Sequence, residues 1–511
     1  MGKHNLVFLF ILSLLVFNIF CPPESLAQKA DPKPNVLFIS VDDMNNWISI
    51  LENYPGVKTP NIERLAKQGV FFKEAHTASP ICNPSRFAAL SGLLPSKTSV
   101  YDRKSIVEPL VREKQFKFIM DYFKEASYHV EGSGKVFHTG SNIHYDWNKY
   151  ERYKKKKHRK HLNGITDFTG SFFDWGVYEG DELDIIDVKL ANAAASFLTK
   201  KHRKPFFLAV GIHNPHLPWI VPQRFFDLYP IEDISLNFVE NDLRDLPPAA
   251  RDFINFEDDA VMPSSQARKE ATQAYLAMLT FTDELVGKII DSLEASAYLD
   301  NTIVVFWSDH GLHLGEKQHW RKSTLWREAT HVPLIFVTPE TRKAGGQVIS
   351  KPVGFVDILP TTLDLCGLEA DENLDGRSLQ PLFNGDREWN YPAITIMNPY
   401  NSSVHYKNWH YIQYKNYDEE LYDYIEDPND LRNLANEQTY KDVLTELREL
   451  TPQTYFISLQ ELAVYALSSA ERKTAKLRDC SFRAFFSYLK LSPAYACDIT
   501  ASDSIFTRYR N

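Results

Sequence analysis

PNVLFISVDDMN, Pro34 to Asn45, holds a near-continuous apolar run, Val36 to Val41, that ends in two acids, Asp42 and Asp43. A half-exposed strand would alternate apolar and polar residues. An unbroken run is what a strand buried on both faces requires, since neither side of its pleat meets water. The stretch predicts a buried parallel strand that delivers Asp42 and Asp43 at its C-terminal end. The pattern then recurs. TPNIERLAKQGVFF (Thr59–Phe72) reads as a capped helix and a second strand. A helix in QFKFIMDYFKEASY leads to a strand entering GSGKVFHTG (Gly132–Gly140). The helix IIDVKLANAAASFLTK leads to the strand PFFLAVGIHNPH (Pro205–His216). A long helix around Ala271 to Glu294 precedes NTIVVFWSDHG (Asn301–Gly311), and HVPLIFVTP (His331–Pro339) is one more apolar run. Alternating strands and helices predict an α/β fold, a large and mostly parallel central sheet with helices on both faces. Ligands of such sheets sit beyond the C-terminal strand ends, where Asp42, Asp43, His216, Asp309 and His310 all fall.

From about Tyr391 the texture changes to short aromatic strands, YPAITIM and WHYIQYK, then ELYDYIEDPNDLRNLA and a helix. This predicts a small C-terminal antiparallel subdomain. The expected organisation is a signal peptide over 1–27, a main α/β domain over 33–388, the subdomain over 389–453 and a tail over 454–511. The tail fits neither pattern: an added helical segment, a disordered tail and a translation artefact are all open.

The chain has 511 residues, 44% hydrophobic and 24% charged, a globular composition. Its formal net charge of -9 gives no basic footprint for nucleic acid. At the N-terminus, Lys3, the apolar run Leu6 to Phe20 and the small residues at Ser25-Leu26-Ala27 read as a cleavable signal peptide, with the mature chain starting near Gln28. The run is short against the ~20 residues of a spanning helix. An uncleaved anchor and a lipoprotein at Cys21 are the alternatives. A secreted or periplasmic protein without stable membrane insertion is expected. Four cysteines remain after cleavage: Cys480 and Cys497 are able to pair, whereas Cys82 and Cys366 read as unpaired. KYERYKKKKHRKH, Lys149 to His161, is a dense basic run. It reads either as a solvated loop or as a docking strip for a polyanion such as a sulfated glycan.

Cys82 lies in SPICNPSRFAALSG, Ser79 to Gly92. Pro84 suits a first helical turn and Gly92 a helix end, so Cys82 is expected just outside a helix N-terminus. That end favours an anion, and Arg86 lies one turn on. A nucleophile there would be stabilised; an ordinary half-buried cysteine is the competing reading. Asp42 with Asp43, and Asp309 with His310, are polar pairs at strand ends. Carboxylates that share a crevice repel unless a cation lies between them, and an oxygen-rich site suits calcium or magnesium.

CNPSRFAALSG matches the sulfatase signature C-x-P-S-R followed by L-[ST]-G. PNVLFISVDDMN, GSGKVFHTG, VGIHNPHLPW, VVFWSDHGLHLGEKQHWRKSTLWREATHVPLIFV and ELYDYIEDPNDLRNLA stand in the same family order. From roughly Pro34 to Leu450 the chain resembles type I, formylglycine-dependent sulfatases of the alkaline-phosphatase superfamily, most of all their iduronate-2-sulfatase branch. The resemblance implies that Cys82 is converted by a formylglycine-generating maturation enzyme to an aldehyde. One hydroxyl of its hydrate attacks sulfur, and the second loses its proton to release sulfate. Asp42, Asp43, Asp309, His310 and modified Cys82 match the ligands of one Ca2+, with Mg2+ the less expected ion. Many sulfatases carry Asn at the place of His310, and a nitrogen donor is less usual for calcium. Arg86 and Lys135 match the groups that hold the diol and sulfate oxygens. His138 matches the acceptor of the diol's proton, His216 the donor to the leaving oxygen, and Lys322 the sulfate-binding lysine. His213, His313 and His319 read as structural or substrate-contacting, and Ser323 and Thr324 as helix caps.

The implied activity is hydrolysis of sulfate esters on a sulfated, uronic-acid-containing oligo- or polysaccharide. A phosphate mono- or diester hydrolase on the same scaffold and a catalytically silent glycan-binding protein are the alternatives.

Overall fold

The computed structural model describes residues 33–456 apart from 104–115, 139–146, 153–161, 166–172, 237–241, 261, 263 and 386–387. The expected leader, Cys21, Cys480 and Cys497, the tail beyond 456 and most of the basic run lie outside the described residues. Among the described residues no helix is long and apolar enough to cross a membrane.

The deciding run forms strand β1 (Asn35–Asp42), buried at every position. It lies inside an eight-stranded sheet. The other strands are β2 (Val70–Phe72), β3 (His129–Gly134), β4 (Lys149–Glu151), β5 (Phe206–Pro215), β6 (Thr302–Ser308), β7 (Leu334–Val337) and β8 (Gln347–Ile349), in the spatial order β8-β2-β7-β6-β1-β5-β3-β4. β1 pairs in parallel with β5 and β6, and β3 in parallel with β5 and β4.

The side chains of β1 divide between two cores. Leu37, Ile39 and Val41 pack under α1 (Pro60–Gln68), α4 (Ile186–Leu198) and α5 (Ser265–Glu294). Val36 and Phe38 pack under α2 (Cys82–Ser91), α3 (Ile119–Glu125) and α6 (Ile358–Leu365). Each fully buried side chain of this size contributes roughly 1.5–3 kcal/mol. A strand gripped from both sides is therefore a firm mount for the acids at its C-terminal end.

Two details depart from a simple alternating pattern. β7 runs antiparallel to both β6 and β2. The chain leaves β6 at Ser308 and re-enters the sheet with Leu334 opposite Trp307, at the end it left. No long helix lies between to carry it back across, so the direction reverses. Helix α1 is capped, but not by Thr59, whose hydroxyl is taken up with Ser49. Asp283 of α5 supplies the cap, accepting the amides of Asn61 at 3.1 Å and Ile62 at 2.8 Å.

β9 (Ala393–Ile396), β10 (Ser402–Tyr406), β11 (Trp409–Gln413) and β12 (Glu419–Asp423) form the expected antiparallel sheet, with α7 (Lys441–Leu450) against it. It meets the main body through a stack of buried rings. His405 of β10 lies 3.5 Å from His76 and 4.1 Å from His410 of β11, and His331 lies 5.4 Å from His76, centroid to centroid. The Thr395 hydroxyl donates to the Thr77 carbonyl, and the Ile396 amide to Ala78.

Candidate active site

The sheet delivers its polar residues to one place. Asp42 ends β1, and Asp43 comes next in the left-handed region at φ 67°. That turn is pinned from three sides. The Asp43 amide donates to Asp309 Oδ1 at 3.1 Å, the Met44 amide to Ser308 Oγ at 3.0 Å, and the Tyr275 hydroxyl of α5 donates to the Asp43 carbonyl at 2.8 Å. β6 runs beside β1 and ends level with it, which sets Asp309 and His310 next to Asp43.

Cys82 is the first residue of α2 rather than the residue before it; Ile81 is the N-cap. Pro84 has no N–H to satisfy in that first turn, the Ser85 amide returns to the Ile81 carbonyl, and Gly92 closes the helix at φ 71°. The helix is buried throughout. Cys82 Sγ faces His310 Nε2 at 3.2 Å and Lys322 Nζ at 3.0 Å. Lys135 lies just past β3, where β3 and β5 touch backbone to backbone. A Cβ on Gly211 would lie 2.1 Å from the Lys135 carbonyl carbon, and one on Gly134, at φ 74°, 2.1 Å from the Gly211 oxygen. Only glycines let these strands approach and turn Lys135 inward to pair with Asp42.

The charges explain one another. Burial would raise the Cys82 thiol, but Lys135 and Lys322 outweigh it and hold it well below the ordinary thiol range. Burial also works against ionised Asp42, yet Lys135, His216 and Arg86 hold it far below the usual carboxylate range. Lys322, despite burial, is held protonated by Asp43, 2.7 Å away, and by Cys82. Burial pulls His310 down, Asp309 pulls it up, and the balance lies at about 9. His216 is depressed by burial, against the pull of Asp43. Its Nδ1 lies 2.6 Å from the Leu217 carbonyl, which makes Nδ1 the donor and leaves Nε2 facing Asp43 at 3.8 Å.

Donor atoms of Asp42, Asp43, Cys82 and His310 all lie within 4.8 Å of one another. Asp42 Oδ1 is buried there without a hydrogen-bond partner. An orphaned carboxylate oxygen amid converging donors fits a divalent cation. Asp309 stands beside this group rather than in it. Its Oδ2 takes the Arg86 Nε–H at 2.7 Å, and its Oδ1 the amides of Asp43 and His310. Arg86 in turn faces Ser40, Val41, Lys135 and Val136.

The structure thus gathers Asp42, Asp43, Cys82, Lys135, His216, Asp309, His310 and Lys322, with Arg86 behind them. His138 is half-buried four residues past the end of β3. His213 is turned to Asp187 at 3.0 Å, away from chemistry. Thr324 caps no helix: its hydroxyl meets His313 Nε2 at 2.7 Å, and the next short helix, Arg327–Thr330, has Trp326 at its cap. Ser40, Tyr275 and Ser308 support the site without any signal in the sequence, because they act through long-range bonds.

The sulfatase family model matches residues 34–368, most of the described chain. The chain belongs to the sulfatase family. A second model, N-sulphoglucosamine sulphohydrolase, C-terminal, matches residues 315–454. A sulfatase of Formosa agariphila is 37% identical over 459 residues, which cover 84% of this sulfatase and 88% of that one. Human iduronate 2-sulfatase is 32% identical over 342 residues, 62% of each chain. The phosphonate monoester hydrolase of Agrobacterium radiobacter shares the fold, with a TM-score of 0.65 at 20% identity over 82% of this chain and 97% of that one. The alkaline-phosphatase-like α/β fold and a sulfuric ester hydrolase activity are thereby established.

Proposed function

We propose that this sulfatase is exported and removes sulfate from a uronic-acid-containing oligo- or polysaccharide, with Cys82 converted to formylglycine by a maturation enzyme. The leader-like residues 1–27 support export, and the likeness to iduronate 2-sulfatase supports the substrate class. The observation that carries the mechanism is the convergence of Cys82 Sγ, two carboxylates, His310 and the Lys322 ammonium in one buried cluster.

In the mature protein an oxygen of the formylglycine hydrate stands where Sγ stands now. Asp42, Asp43, that oxygen and His310, which would give up its proton to the ion, would hold Ca2+, with Asp309 alongside; the ion would supply charge that acidifies the hydrate and polarises a sulfate oxygen. Lys322 and Lys135 bring fixed positive charge to the sulfate. Buried ammonium groups already paired with carboxylates need no reorganisation as negative charge moves onto the sulfate oxygens. Arg86, bound to Asp309 and to the carbonyls of the strand ends, holds the frame. His216 lies one-third exposed at the mouth with Nε2 toward Asp43; in the imidazolium form, which the Asp43 carboxylate favours, Nε2 would give a proton to the departing alcohol oxygen. His138 takes the hydrate's second proton as sulfate leaves.

The test is mass analysis of the peptide spanning Cys82, together with assays of aryl sulfate, aryl phosphate and a panel of defined sulfated oligosaccharides. The expected result is an aldehyde at position 82, desulfation exceeding dephosphorylation, and no activity in Cys82→Ala. A free thiol in fully active protein would overturn the mechanism; no desulfation of any uronic-acid-containing oligosaccharide would overturn the substrate.

A further inference from the structure

The loop that carries Lys322 is built against backbone preference. Lys317, Gln318, Arg321 and Ser323 have φ of 51°, 52°, 74° and 79°. Side chains crowd the backbone in this region, and a run of such residues persists only where the surroundings over-determine it. One segment supplies the restraint, contact by contact. Asp242 accepts the Lys317 amide at 3.1 Å and its ammonium at 2.9 Å. The Asn255 amide donates to His319 Nδ1 at 2.9 Å. Asp259 accepts the Trp320 indole N–H at 3.0 Å, and Asp258 pairs with Arg321. All four partners lie between β5 and α5.

His319 is where this clamp reaches the reacting end. Its Nδ1 is an acceptor, so its proton is on Nε2, which donates to the Lys322 carbonyl at 3.0 Å. Burial holds the ring at about 4, so it stays neutral through the working range. The ring lies between two backbones: the clamp's at Asn255 and the lysine's own.

We propose that His319 is a positioning residue for Lys322, fixing the strained backbone from which the ammonium reaches Asp43 and the side chain at position 82. This rests on the proposed role of Lys322 in sulfate binding. Without the bond, Lys322 keeps its charge but loses its address. Displacement by about 1 Å is enough to cost on the order of a hundredfold in rate.

The test is a double-mutant cycle on aryl sulfate hydrolysis, with thermal midpoints measured alongside. His319→Leu should lower kcat about tenfold or more and weaken competitive inhibition by inorganic sulfate. His319→Gln, which keeps a donor and an acceptor on the side chain, should recover most of the loss. The decisive expectation is that His319→Leu costs nothing further when added to Lys322→Ala, because a residue acting through the lysine has nothing left to act on. Independent, multiplying losses, or an unchanged kcat in His319→Leu, would overturn the proposal. Full activity in Lys322→Ala would instead strike the assignment of Lys322 itself. Should His319→Leu fail to fold, Asp258→Asn loosens the same clamp at Arg321; its smaller loss must likewise vanish in the Lys322→Ala background, and a loss that persists there counts against the clamp.

Discussion

The ring stack at the junction of the two sheets should make the fold sensitive to acid, by an amount the structure allows to be worked out. His76 and His405 bury both ring nitrogens without hydrogen-bond partners, the nearest acid to His76 being Glu74 at 3.4 Å. His331 is bonded to Asn46, Arg327 and the Lys73 carbonyl, and His410 to Asp430. Burial, reinforced by His331 and Arg327 against Glu74, drives His76 to about 3; burial and Arg327, against Glu74, drive His331 to about 4; burial and the rings on either side hold His405 well below 6.5. An unfolded chain protonates its histidines below about 6.5. Between there and about 4 the unfolded state binds more protons than the native one, so stability is complete above pH 6.5 and falls as the pH drops. Three such histidines give a slope of about 4 kcal/mol per pH unit. Buried carboxylates held above their usual range, Glu328 at about 8 and Asp357 at about 7, act in the opposite sense, so the stack's part is read as a difference between variants. His405→Phe keeps a flat ring in the stack and removes one titrating group, lowering the slope by about 1.4 kcal/mol per unit. It should cost nothing at pH 8, where no hydrogen bond is lost. Urea midpoints followed by tryptophan fluorescence from pH 8 to 5, for both proteins, read the slopes directly. Equal slopes, or a variant clearly weaker at pH 8, would refute the reasoning.

The same geometry sets other outcomes. Asp283→Ala strips the cap from α1 and should lower stability by about 2 kcal/mol without altering KM, seen as an earlier urea midpoint with unchanged steady-state kinetics. Arg86→Met leaves Asp309 buried without its cation and should cost about 3–5 kcal/mol and all measurable activity; a native-like thermal midpoint would contradict this. If the proposed Ca2+ site is right, dialysis against a chelator should abolish aryl sulfate turnover and lower the thermal midpoint, both restored by Ca2+, because such an ion would bind only the folded chain. Gly211→Ala drives a methyl into the Lys135 backbone and should yield little folded protein, monitored by soluble expression and circular dichroism.

The sheet was legible because β1 and β6 are so apolar that no other placement suits them, and because each ends in acids that a buried strand excludes. The Cys82 motif was legible because proline and glycine have local duties at a helix start and a helix end. What escaped reading is non-local. The reversal of β7 depends on where the chain re-enters the sheet, not on its own residues. Asp283 caps a helix more than two hundred positions upstream. Asp309 stands after a strand as Asp42 does, but its bond to Arg86 was not legible, because sequence alone leaves that arginine free to point elsewhere. Tyr275 sits in a helix whose apolar pattern hides a hydroxyl serving Asp43.

The residues from Glu74 to Gly92 are buried without a break, and Cys82 is 1% exposed at the start of a helix buried along its whole length. Any catalyst that edits this side chain has to grasp several residues around it, which the finished architecture forbids. Under the proposed conversion of Cys82, editing and folding would therefore be rivals in time. A host whose editing is slow would produce two permanent populations, and no later treatment of the closed protein would convert one into the other.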